Sequence, residues 1–208
     1  MTSQVRAPGS VPTGNTYDKY GSANPVVRRL MSGFERTLAE LFERAAPDSV
    51  LDVGCGEGVL TSRWAEQLGT GRVVGIDLTD PKLQREWRTR ARPNLRFEAI
   101  GGQDLPFETA EFDLVAAIEA LEHIREPEHT IAEMVRVARR HLLVSVPREP
   151  LWRVLNVARG SYLKDLGNTP GHVNHWSRGA FVRLLERHGS VVDSRSPFPW
   201  TMVLVRVG

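Results

Sequence analysis

The chain has 208 residues, 41% hydrophobic and 25% charged, with a formal net charge of +2, the size and balance of one globular domain with its own apolar core. So small a charge gives no footing for nucleic-acid binding by itself, and no stretch approaches the roughly 18 apolar residues of a membrane span. The single cysteine, Cys55, excludes an internal disulfide; with no apolar leader in the first residues, a cytoplasmic location is expected.

Residues 1–23 are polar with Gly and Pro, an N-terminal segment ahead of a domain over 24–208. "NPVVRRLMSGFERTLAELFERA" predicts a helix, with Asn24 as N-cap and Pro25 in the first turn. Leu30, Phe34, Leu38, Leu41 and Phe42 keep its apolar period. "SVLDVG" predicts a buried strand, "GVLTSRWAEQLG" a helix, and "RVVGIDL", "LRFEAI" and "EFDLVAAI" three more strands. The arginines at 85, 88, 90, 92 and 96 read as a solvated helix face. "EPEHTIAEMVRVARR" predicts a helix with Pro127 at its start. Its core stripe is Ile131, Met134, Val135 and Ala138, and Arg139–Arg140 sit at the end that the macrodipole favours for cations. "HLLVSVP" predicts a fifth strand, "RGAFVRLLERHG" a late helix, and "VVDSR" and "TMVLVRV" two final strands. Residues 148–176 fit no simple βα unit and read as a substrate-shaping insertion. Strands alternating with helices imply an α/β fold, a mostly parallel sheet with helices on both faces.

"LDVGCGEG" places Gly54, Gly56 and Gly58 between the first strand and its helix, where glycines allow a tight turn and close approach of a ligand. The spacing is G-x-G-x-G, not the dinucleotide G-x-G-x-x-G. Asp52, just before the loop, repels a pyrophosphate and welcomes a cation. Asp77, ending the second strand, suits the two hydroxyls of a ribose. A ligand with a ribose, a positive charge and no phosphate is S-adenosylmethionine.

With "VLDVGCGEG", "VVGIDL" and "LPFETAEFDLV", the chain resembles the class I S-adenosylmethionine-dependent methyltransferases over residues 17–146. The resemblance implies a Rossmann-like seven-stranded sheet with the last strand antiparallel, and the cofactor over the C-terminal ends of strands one, two and four. It implies cofactor contacts from Asp52, Gly54, Gly56, Asp77, Leu78, Gly102, Gln103 and Ile118. In many relatives an acid after the third strand holds the adenine amino group; here the matching position is Gly101, so Gln103 and backbone near Gly102 are expected to serve. Tyr17 and Tyr20 are expected to close over the cofactor as a lid.

"AIEALEHI" spaces Glu119, Glu122 and His123 as i, i+3 and i+4, one face of a helix. In the resembled family this stretch lies where the methyl group meets its acceptor. Two readings stand. His123 is a general base oriented by Glu119, or Glu119, Glu122 and His123 bind a divalent cation, Mg²⁺, with His172 from the insertion as fourth ligand and His175 as the runner-up. Glu-x-x-Glu-His resembles metal-dependent O-methyltransferases. The expected reaction is O-methylation of a hydroxylated small molecule such as a sugar, polyol or catechol. An RNA-ribose methyltransferase is the alternative, against which stand the mild charge and the lack of an RNA-binding module.

Overall fold

The structure, a computed structural model, describes residues 24–158, 160, 162 and 165–208. Helix α1, Pro25–Ala45, starts as expected, with the Asn24 side chain accepting from the Val26 amide, and ends on Ala46 in the left-handed region. Then come β1 Ser49–Val53, α2 Val59–Leu68, β2 Arg72–Asp77, α3 Pro81–Thr89, β3 Leu95–Ala99 and β4 Phe112–Ile118. A 3-10 turn, Leu121–His123, leads to α4 Pro127–Val137, β5 Ala138–Pro147, α5 Leu151–Ala158, α6 Arg178–Glu186, β6 Ser190–Arg195 and β7 Trp200–Arg206. No described helix is long and apolar enough to cross a membrane.

The seven strands form one sheet in the order β3-β2-β1-β4-β5-β7-β6. β1 to β5 run parallel, and β7 lies antiparallel between β5 and β6. The seven-stranded, mostly parallel sheet with an antiparallel last strand is thus the architecture that the motifs implied. Alternate residues of each strand feed opposite faces. On one face Leu51, Val74, Val115 and Val144 pack with Ile131 and Met134 of α4 and Phe181 and Leu185 of α6. On the other, Val50, Val73, Leu114 and Leu143 pack with Phe34, Leu38 and Phe42 of α1 and Trp64 of α2. Each such fully buried side chain contributes about 1.5–3 kcal/mol.

Three local expectations are corrected. Ala138 opens β5 instead of closing α4, and Arg139 and Arg140 are strand residues. Arg139 pairs with Asp113 at 3.1 Å. Arg140 donates to the Ala45 and Ala46 carbonyls, so it serves a helix C-terminus, but that of α1. The arginine run belongs partly to α3, whose other side buries Leu83 and Trp87. The insertion contains a helix, α5, which the sequence reading left unassigned.

Candidate active site

The parallel strands β1, β2 and β4 end side by side, and their C-terminal loops form one crevice. Gly54, Gly56 and Gly58 take φ of 78°, 54° and 75°, a region that side chains strain to enter. A Cβ on Gly54 would lie 2.6 Å from Ala120 Cβ, and one on Gly58 would lie 2.5 Å from the Phe97 ring. The Gly54 and Cys55 amides donate to the Ile76 carbonyl, which ties the loop to β2. The Gly56 amide donates to Asp77 Oδ2 and the Leu78 amide to Asp77 Oδ1, both at 2.7 Å. Each carboxylate oxygen keeps acceptor capacity for a ligand hydroxyl.

Two residues that complete the loop were missed in the sequence. Trp87 of α3 donates from Nε1 to the Gly56 carbonyl at 2.8 Å and stacks on Phe97 at 5.4 Å. Thr61 of α2 donates its hydroxyl to Asp52 Oδ2 at 2.6 Å. Asp52 is buried; desolvation pushes its carboxyl up to about 7, with the Thr61 hydrogen bond opposing and nearby Asp77 adding. Burial raises Asp77 as well, against the pull of its two amide donors. These strand ends therefore hold two carboxyls whose ionisation burial resists. Of the other residues expected at the cofactor, Leu78 is 44% exposed, a Cβ on Gly102 would lie 3.0 Å from the Val53 side chain, and Ile118 ends β4. Gln103 is exposed and donates to Glu126 at 3.3 Å. Tyr17 and Tyr20, the expected lid, lie outside the described residues.

Beyond β4 the chain does not form the expected helix face. Glu119 takes φ 58°, an excursion that costs a non-glycine residue on the order of 1–3 kcal/mol, and only Leu121–His123 wind into a 3-10 turn. Glu119 is thereby separated from its two partners. Its carboxylate accepts from Ser145 Oγ at 3.0 Å and from Trp200 Nε1 at 2.6 Å. Glu122, His123 and His172 are brought together, each with one ligating atom within 4.8 Å of the others. Glu122 and His172 are buried and His123 half-buried. His123 Nδ1 lies 3.0 Å from the Gly171 carbonyl. A hydrogen bond there requires the ring to carry a proton on Nδ1, since a carbonyl only accepts.

The insertion is fastened to this turn. The Val173 and Asn174 amides donate to the Glu122 carbonyl, and the Asn174 side chain donates to the Leu121 and Ile124 carbonyls. His175 turns away, 3.5 Å from Glu149. Trp152 of α5 lines His172 on one side and Trp200 on the other, with ring centroids at 6.4 and 5.8 Å.

A glycine loop after β1 and an acid ending β2, at the C-terminal ends of parallel strands, are the layout of a Rossmann-like fold. A solved S-adenosylmethionine-dependent methyltransferase from Aquifex aeolicus superposes with a TM-score of 0.68 over 89% of this chain and 94% of that one, at 19% identity. A family profile described as "Methyltransferase domain" matches residues 50–141. The ubiquinone biosynthesis O-methyltransferase of Pseudomonas syringae is 30% identical over 160 residues, 68% of either chain. The chain belongs to the class I S-adenosylmethionine-dependent methyltransferase family. The 27-O-demethylrifamycin SV methyltransferase of Amycolatopsis mediterranei is 31% identical over 106 residues, covering 49% of this chain and 39% of that protein. The chain spans under half the length of several curated relatives that it matches.

Proposed function

We propose that the protein transfers the methyl group of S-adenosylmethionine to an oxygen of a hydroxylated small molecule, at a metal-assisted centre formed by Glu122, His123 and His172. The observation that carries this reading is the convergence of one carboxylate and two imidazoles within 4.8 Å, next to the end of β4. Similarity to a ubiquinone biosynthesis O-methyltransferase and to a 27-O-demethylrifamycin SV methyltransferase supports an oxygen acceptor.

Asp77 takes the ribose hydroxyls, and Asp52 with the glycine loop takes the cationic amino-acid end. The sulfonium carries an already activated methyl group, so the protein's work is positioning and proton removal. The donor set fits a divalent cation. Because Glu119 is engaged by Ser145 and Trp200, the set is two imidazoles and one carboxylate, which suits Zn²⁺ or Fe²⁺ better than the oxygen-loving Mg²⁺. When bound, such a cation lowers the pKa of an acceptor hydroxyl. Trp152 and Trp200 wall the acceptor side and exclude water.

The Gly171 hydrogen bond to His123 favours one second reading, in which His123 Nε2 takes the acceptor proton with no metal. Metal analysis of the purified chain, with and without chelator, separates the two. Near-stoichiometric metal, lost in Glu122→Ala and His172→Ala with cofactor affinity unchanged, is expected. A metal-free chain whose turnover survives excess chelator but not His123→Ala would establish the general base instead.

A further inference from the structure

Helix α3 buries one face, Leu83 and Trp87, an i, i+4 pair. Trp87 lies there on Phe97 of β3, the two rings 7° from parallel and 5.4 Å apart. Phe97 in turn sits where side chains are missing. A Cβ on Gly75 of β2 would lie 2.8 Å from its ring, and one on Gly58 would lie 2.5 Å from it. Two glycines thus make room for the phenyl ring, and the phenyl ring seats the indole. The single N–H of that indole meets the Gly56 carbonyl at 2.8 Å. Among the described residues, the only other hydrogen bond to this carbonyl comes from the Cys55 thiol at 3.8 Å, a weak donor.

Gly56 is therefore gripped at both ends. Its N–H goes to Asp77 Oδ2 at 2.7 Å, and its carbonyl goes to Trp87. At φ 54° a glycine turns at little cost. A Cβ built on it would meet no atom within 4 Å, so side-chain packing does not hold it either. Its setting is left to the two hydrogen bonds. They share one residue, so a Gly56 that turns away from Trp87 also shifts the amide that Asp77 accepts from.

We propose that Trp87 is a positioning residue for the cofactor: its indole N–H fixes Gly56, and through Gly56 the Asp77 carboxylate, in the setting that receives the ribose. This rests on the reading that Asp77 takes the ribose hydroxyls. Trp87→Phe keeps an aromatic ring on Phe97 and removes the donor. Calorimetric titration should show S-adenosylmethionine bound at least about threefold more weakly by the folded variant, the scale of one neutral hydrogen bond. That loss should vanish in an Asp77→Ala background, with W87F/D77A matching D77A within about twofold, because both changes act on the setting of one residue. A tryptophan that only packs the helix would add its loss to that of Asp77→Ala. Coupling is reciprocal, so the unsubstituted chain reports it too: bound S-adenosylhomocysteine should slow solvent exchange of the Trp87 indole N–H at least about threefold. Undiminished affinity in Trp87→Phe, additive losses in the cycle, or an indole N–H that exchanges at one rate with and without ligand overturns the proposal. A loss in Asp77→Ala with none in Trp87→Phe overturns it alone. An Asp77→Ala variant that binds like the wild type overturns the ribose reading along with it.

Discussion

Asp52 titrates near neutrality because burial disfavours its charged form and Asp77 adds to the shift, while the Thr61 hydrogen bond opposes it. Its folded pKa, about 7, lies above the ordinary 3.8 of an unfolded chain. Between those values the folded state holds a proton that the unfolded state has released, so stability falls as pH rises from about 4 to about 7. Asp52→Asn removes that loss. The ligand-free variant should melt above the wild type at pH 8, by on the order of 5 °C, yet bind the cofactor more weakly. A wild-type affinity for S-adenosylmethionine that climbs as pH passes 7 is the matching result, because the cation favours the ionised carboxyl. Flat affinity across that range, with no gain in melting temperature, would count against Asp52 facing the cationic end. Asp52 and Asp77 were legible from sequence because each closes an apolar strand. Thr61 and Trp87 were not, since a helix threonine and tryptophan read equally well as core.

At the scale of elements, β1 to β7 and helices α1, α2, α4 and α6 followed from period and caps. Helix α5 escaped because it has only eight residues, Leu151–Ala158, and exposes Val154 and Val157, so its pattern is blurred. Glu119, Glu122 and His123 had helical spacing, but spacing does not reveal a left-handed residue, and φ 58° at Glu119 parts it from the other two. The contact between the insertion and the turn after β4 spans about fifty residues, and no local pattern encodes it. Asn174 makes that contact with two carbonyls of the turn. Asn174→Ala leaves both short of a donor, a loss on the order of 1–3 kcal/mol if they stay buried, and loosens the loop that carries His172. Turnover should drop at least about tenfold, with affinity for S-adenosylhomocysteine held within about twofold. Equal losses in both would show a general folding defect instead of a local one.

Over the whole molecule, two apolar layers fix seven strands so that the ends of β1, β2 and β4 meet, and the polar residues gather there. Asp77 anchors the arrangement: it ends β2, holds the glycine loop through the Gly56 amide, and faces the crevice with acceptor capacity to spare. The central claim is that this crevice binds S-adenosylmethionine through its ribose. Calorimetric titration of the full chain with S-adenosylmethionine, beside Asp77→Ala verified as folded, tests it most directly. One site per chain is expected, weakened at least about tenfold in the variant, the scale of a lost charge-assisted hydrogen bond. No heat of binding in the wild type, or an affinity that Asp77→Ala leaves unchanged, would contradict the claim.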